Sequence, residues 1–433
     1  MTANGSVLGY RDGVGLVQVP ALSANLSVMC EVEENNFAVL PASLTGITME
    51  KNEDGTVSLV KDGFFIRAAP HWDKLEFNSS NLGDWEKFRV VSSSDLDGAV
   101  ASWGLSSAPH IWGDIKVIQA NPSIIIAKDC IYLPWNPSES WGLFSSDGDC
   151  IEAAMTERKI YNINTQANID FDSVNNTNQE HYYIYCGYFN CHFGHFLIDT
   201  LSRLWFAHER GSAKLLFHSD HGAETWFHFP YVREVLNAIG ITINDVVVLK
   251  EPVRLPEVLI PKTSLSAQRY IHHVYGEFCR NLNATIGPEL PPSGVSNRVY
   301  LSRSQLSIGT GSFVNESEME QYLANSGVKI IHPEELTFRQ QLGLMQHAEK
   351  ILAIAGSALH LSIFSSAKRI VALSANNVVN ANYHLIDRVA KNTATYLTPV
   401  HITKEEKVAN FATAYRLGDP KAVAYHLLEA IDS

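Results

Sequence analysis

The sequence contains no apolar run long enough to cross a bilayer, which excludes a chain built around membrane-spanning helices. It is poor in cysteine. Cys30, Cys130, Cys150, Cys186, Cys191 and Cys279 share no metal-type or disulfide-framework spacing, a usage that suits a reducing compartment. It also lacks a basic surplus. The formal charge of −13 argues against nonspecific nucleic-acid binding and against a broad electrostatic hold on anionic lipid. A basic patch inside a cleft remains compatible with that balance, because local field and net charge are separate matters. No internal repeat at a fixed period is found. The first residues, Met1 to Val7, lack the basic region and apolar core of a signal peptide, so a cytoplasmic protein is expected. Sequons such as Asn25-Leu-Ser27 and Asn283-Ala-Thr285 are then read as unused.

What the chain does have is length and a strand-and-helix rhythm. At 433 residues it exceeds one ordinary core, so two or three domains are expected. The clearest stretch runs from Asn297 to Leu373. Arg298-Val-Tyr-Leu301, Val328-Lys-Ile-Ile331, Ile351-Leu-Ala-Ile-Ala355 and Arg369-Ile-Val-Ala-Leu373 read as strands. Between them lie helices opened by two expected capping boxes, Asn315 with Glu318 and Thr337 with Gln340. Gly327 stands where a glycine ends the first helix. This alternation implies right-handed crossovers and a parallel sheet covered on both faces, an α/β fold.

Upstream, residues 1–177 read as a β-rich region, irregular through residue 115, with a hairpin turn at Asn52-Glu-Asp-Gly55. Its Trp72, Trp85 and Trp103 suit a small β core, or alternatively a sugar-stacking surface. Residues 162–180 form a polar junction. A first α/β domain then covers 178–290, with strands beginning at His181, Lys214, Val246 and Val258 and helices at 193–210, 231–239 and 268–282. The Pro/Gly segment Gly287 to Gly294 reads as a hinge into a second α/β domain, 291–400, followed by a helical segment, 401–433.

The chemistry of such sheets lies beyond the carboxyl ends of their strands. Arg303 follows one strand and offers a planar, permanently charged fork for a phosphate. Gly356-Ser357 follows another, where an anion can approach amides at a helix N-terminus. The plainer readings are a surface ion pair for Arg303 and a tight turn at Gly356. His192, His195 and Asp199 are spaced three and four apart, on one face of a helix. They suit a base that takes a proton from an attacking hydroxyl. They also suit three metal ligands, and Asp199 with Arg203 suits a plain i,i+4 surface pair.

Val299-Tyr-Leu-Ser-Arg303, Asn315-Glu316, Pro333-Glu334, Ile354-Ala-Gly-Ser-Ala-Leu-His360 and Phe193-Gly-His-Phe196, in this order and spacing, resemble glycosyltransferase family 61 over roughly residues 180–400. That family includes enzymes that transfer N-acetylglucosamine or xylose, and many bacterial polysaccharide-biosynthesis proteins. The resemblance implies the GT-B architecture of two facing Rossmann-like domains and inverting transfer, without a metal or other cofactor. It assigns His195 and Asp199 to catalysis. Arg303, Gly356, Ser357, His360 and an acidic residue that fits Glu335, with Glu334 as its rival, would hold the donor. Where relatives often carry Asn and Glu, this chain has His192 and Ala372.

The expectation is an inverting hexosyl- or pentosyltransferase using a UDP-sugar in assembly of a bacterial capsule or lipopolysaccharide. Its partners are then a nucleotide-sugar donor and an oligosaccharide or lipid-linked glycan acceptor. Nucleic acid is not expected, and peripheral attachment at the inner membrane is left open. The alternative is a noncatalytic glycan-binding or scaffold protein that keeps the fold.

Overall fold

A computed structural model describes residues 7–11, 15–19, 28–29, 32–33, 36–37, 46–67, 75–83, 86–88, 105–107, 109–155, 174, 182–294, 296–375, 378–399, 402–405 and 411–432. Trp72, Trp85 and Trp103, and the 162–180 junction apart from Val174, lie outside these residues. The chain divides into two compact units. One comprises Met1–Ser107, Arg303–Ser326 and Leu397–Ser433, and the other Ala108–Ser302 and Gly327–Tyr396.

In the first unit, the expected hairpin forms at Asn52–Gly55. Ile47–Lys51 pairs antiparallel with Val57–Lys61, and Gly55 takes the left-handed φ of +80° that the turn requires. Phe64–Arg67 and Glu76–Ser79 extend this to four strands, around Val57, Leu59, Ile66, Leu75 and Phe88. A separate piece pairs Gly309–Phe313 in parallel with Phe411–Leu417 and packs helix Glu316–Asn325 on helix Pro420–Asp432. The expected Asn315 cap is not made. Asn315 instead exchanges both its amide bonds with the Leu417 backbone, at 2.9 Å each, so tertiary pairing outcompetes the local cap.

Among the described residues, the second unit is built on two large sheets, with smaller pairings beside them. In one, Thr393–Pro399, Arg369–Leu373, Lys350–Ile354, Arg298–Leu301 and Lys329–Ile331 lie side by side in that order. The registers of the last four strands are parallel, as their continuous apolar character implies. Numbered along the chain, the spatial order is 5-4-3-1-2. The winding therefore reverses between Arg298–Leu301 and Lys350–Ile354, the topological switch point where such sheets bind ligands. The Thr337–Gln340 capping box closes as expected over helix Phe338–His347, with 3.0 and 3.2 Å bonds.

The other sheet runs in the order Gly142–Phe144, Ile124–Leu133, Val253–Pro261, Tyr183–Tyr188, Lys214–His218 and Val246–Val247. Its last four strands are parallel, and its first two are antiparallel additions. Here the winding reverses between Tyr183–Tyr188 and Val253–Pro261.

Two helices differ from expectation. The segment from Gln268 begins as a strand, Tyr270–His272, because it pairs in parallel with Lys116–Ile118, and the helix starts only at His273. The 193–210 helix is a composite, described below. The start of the 287–294 segment is bonded to a neighbouring helix. The Glu289 amide donates to the Arg339 carbonyl at 3.1 Å, and the guanidinium of Arg339 bonds the carbonyls of Ile286 and Gly287. A Cβ at Gly343 would stand 2.0 Å from the Glu289 carbonyl oxygen, so only glycine lets the segment lie this close to helix Phe338–His347. Among the described residues no helix is long and apolar enough to cross a membrane.

Candidate active site

Both switch points open onto the same short stretch of chain. After Tyr188 the backbone is pinned at once. The Phe189 amide donates to the His218 carbonyl, and the Asn190 amide donates to the hydroxyl of buried Thr200 at 3.0 Å. Asn190 Oδ1 accepts the His192 amide at 2.9 Å, an Asx turn, and the Tyr231 hydroxyl donates to the Cys191 carbonyl.

The helix that follows changes pitch twice. Phe193–His195 is an α turn, Phe196–Thr200 a π turn and Leu201–Glu209 a 3₁₀ run. The regular spacing of Phe196, Leu197, Leu201, Leu204 and Trp205 implies one continuous helix, and all five are buried. Bonds from Ser202 and from the Thr263–Ser264 segment lie at the change of pitch. The Ser202 hydroxyl donates to the Asp199 carbonyl and lies 2.8 Å from that of Thr263, just beyond strand Val253–Pro261. Ser264 donates from both its amide and its hydroxyl to the Ser202 carbonyl. Wide π turns of this kind recur at functional sites.

His195 and Asp199 lie on that π turn and its entry. His195 Nδ1 is 3.1 Å from Asp199 Oδ2, with the two side chains 30% and 12% exposed, so the pair is accessible yet shielded. The ring of His192 meets that of His195 edge-on at 5.1 Å, while His192 itself is exposed. Arg203, read from the sequence as a surface partner of Asp199, is 5% exposed. Its guanidinium donates to the carbonyls of Ala153, Met155 and Pro261, which binds the helix to the sheet below. Among the described residues no three His, Cys, Asp or Glu side chains are grouped to hold a metal ion.

Strand Lys350–Ile354 leads through Ala355 and Gly356 into a 3₁₀ helix, Ser357–Phe364. Gly356 is extended, with φ −168°, a conformation open to any residue, so no tight turn explains the glycine. The close approach is made elsewhere. A Cβ on Gly194 would lie 2.6 Å from Ser357 Oγ and 3.8 Å from His360 Nδ1. The Phe193-Gly-His195 turn is thus seated directly on the opening of the Ser357 helix. This brings His195, Asp199, Gly356, Ser357 and His360 into one neighbourhood. Gly194 stands inside the Phe193-Gly-His-Phe196 motif, and its contact with Ser357 is the reason that position must be glycine.

Aromatic rings surround the contact. Phe193 meets Tyr231 at 5.1 Å and Phe338 at 6.4 Å, and His360 stacks on Tyr383 at 5.0 Å. Glu335 is exposed, as is Glu334, in a single 3₁₀ turn after strand Lys329–Ile331. Arg303 belongs to the first unit. There its amide donates to the carboxylate of buried Glu316 at 2.8 Å, and its Nη2 donates to the Gly311 carbonyl at 3.1 Å.

A family model described as Glycosyltransferase 61 matches residues 193–372, which begin at the Phe193-Gly-His195 turn and end in strand Arg369–Leu373. That match supports a glycosyltransferase role, with a sugar donor and a glycan acceptor in general terms. No curated protein matches the sequence.

Proposed function

With residues 193–372 belonging to glycosyltransferase family 61, we propose that the chain is an inverting transferase of GT-B type. It moves a hexose or pentose from a UDP-sugar to a glycan acceptor in assembly of a bacterial surface polysaccharide. The reaction takes place in the cytoplasm and without a metal. The observation that carries this reading is the seat of the Gly194 turn on the Ser357 helix, which sets a histidine–carboxylate pair beside a helix opening at two switch points.

His195 is the base in this reading. Its Nδ1–H is donated to Asp199, which leaves the lone pair on Nε2 to take the acceptor's proton. The freed oxygen attacks the anomeric carbon as the bond from that carbon to the diphosphate oxygen breaks, and configuration inverts. Asp199 orients the ring and stabilises the imidazolium that forms. The charge growing on the leaving diphosphate is met by the amides that open the Ser357 helix and by His360. Glu335 holds the donor ribose.

The test is release of UDP across a panel of sugar nucleotides by purified protein. Release from one donor, accelerated by a glycan acceptor, is expected. Silence across the panel would leave only a binding protein. His360→Ala should weaken UDP affinity while the melting temperature is retained, and unchanged affinity would remove His360 from the diphosphate site.

A further inference from the structure

The Ser357–Phe364 helix has a second end. At about 2.0 Å of rise per residue its eight residues span roughly 16 Å, and it closes at Ser365, beside the amino end of strand Arg369–Leu373. A cavity of about 330 Å³ opens there. Arg280, Asn283, Gln346, Ser365, Ser366 and Lys368 line it with polar groups.

Three of these groups lack complete satisfaction. Lys368 is 7% exposed, and its ammonium donates to the Gln346 carbonyl at 2.8 Å. Burial pushes its pKa down, while the nearby charge of Glu349 pushes it back up. Asn283 is 8% exposed. Its Nδ2 donates to the Phe364 carbonyl at 3.0 Å, but its buried Oδ1 accepts nothing among the described residues. Arg280 is half-buried one turn beyond Gly276 and has no ion pair among the described residues. A buried cation with one carbonyl partner and a buried amide oxygen with no donor are both costly unless a ligand completes them.

We propose that this cavity binds one anionic monosaccharide, a pyranose bearing a carboxylate or a phosphate, as a glycan subsite separate from the transfer site. The anionic group pairs with Arg280 and Lys368, and a sugar hydroxyl donates to Asn283 Oδ1. The volume suits one sugar unit and falls at the small end of ligand cavities. This goes beyond the transfer reading, because the cavity keeps its chemistry whether or not the protein moves a sugar.

The experiment is calorimetric titration of the full chain with glucuronate, glucose 6-phosphate, glucose and inorganic phosphate. Binding of glucuronate or glucose 6-phosphate, with glucose at least about tenfold weaker, is expected, and whichever anion binds more tightly identifies the natural group. Glucose binding as tightly as glucuronate overturns the anionic part. Inorganic phosphate binding as tightly as glucose 6-phosphate overturns the sugar part. Silence throughout overturns the site. Arg280→Gln, a change on a half-buried helix surface, should weaken the anionic sugars about tenfold. Unchanged affinity in that variant, or displacement of the sugar by UDP, would place the binding elsewhere.

Discussion

Two neighbouring strands of the same sheet each end near a histidine, and the two histidines have opposite characters. His218, the last residue of Lys214–His218, is completely buried. It stacks on Tyr132 at 4.2 Å, and the rings of Trp141 and Tyr185 meet it edge-on. Neither of its nitrogens has a hydrogen-bond partner among the described residues, and burial pushes its pKa down to about 3. His195, beyond the adjacent strand Tyr183–Tyr188, is partly open and has a carboxylate at its Nδ1. The difference is one of company. A ring enclosed by aromatics is held neutral and serves as packing, whereas a ring beside a carboxylate at a partly open position keeps a polar partner.

The largest expected effect comes from breaking the seat that gives His195 its place. Gly194→Ala puts a methyl group 2.6 Å from Ser357 Oγ, and overpacking of this kind costs about 1–3 kcal/mol. UDP release should fall at least about 100-fold, since a shift of 1 Å in a catalytic group has that scale, and the melting temperature should drop. Near-normal turnover would mean that the two elements need not touch.

Next is His195→Ala. Turnover should fall about 10²- to 10⁴-fold, the range for a lost general base, with the melting temperature close to that of the unaltered protein. Asp199→Asn should lower kcat by a smaller factor and change the pH–rate profile, because the amide no longer holds the same tautomer. A variant that altered only KM would remove Asp199 from a positioning role.

The smallest effect on activity belongs to His218→Phe, which should leave UDP release unchanged and sharpen the contrast in stability. The folded protein binds a proton at His218 only near pH 3, whereas the unfolded chain does so near the ordinary value of 6.5. The unfolded state therefore carries the extra proton between those values, and the stability that the neutral ring provides is lost as pH falls through that window. Asp387 works in the opposite sense. Burial raises its pKa to about 6, so the folded state binds the extra proton between about 4 and 6, and acidification favours folding there. Denaturant melts at pH 7 and pH 4.5 should show His218→Phe losing less stability on acidification than the unaltered protein. Equal losses would refute the buried neutral state.

The contrast between the histidines was only half legible in the sequence. Spacing alone paired His195 with Asp199, because residues four apart meet on a helix of either α or π pitch. The four strands from Arg298 to Leu373 and the Thr337 cap were legible for a similar reason, since each is set by neighbours within a few residues. What escaped were choices made at long range. Asn315 forgoes its cap for Leu417, 102 residues away. Arg203 bonds Ala153 and Pro261 rather than serving as a surface charge, and Tyr270–His272 becomes a strand only because Lys116–Ile118 lies beside it. His218 gives no local sign of its fate, as its enclosing rings come from three other segments.

The contact of Glu289 with Gly343 carries a further consequence. Where a carbonyl fits against a helix with no room for a methyl group, the connecting chain has no slack to give. Its length is then fixed as firmly as its composition. Removing one residue between Gly287 and Pro291 would drag Glu289 off its groove and should loosen the joint between the sheets more than any single side-chain replacement in that segment.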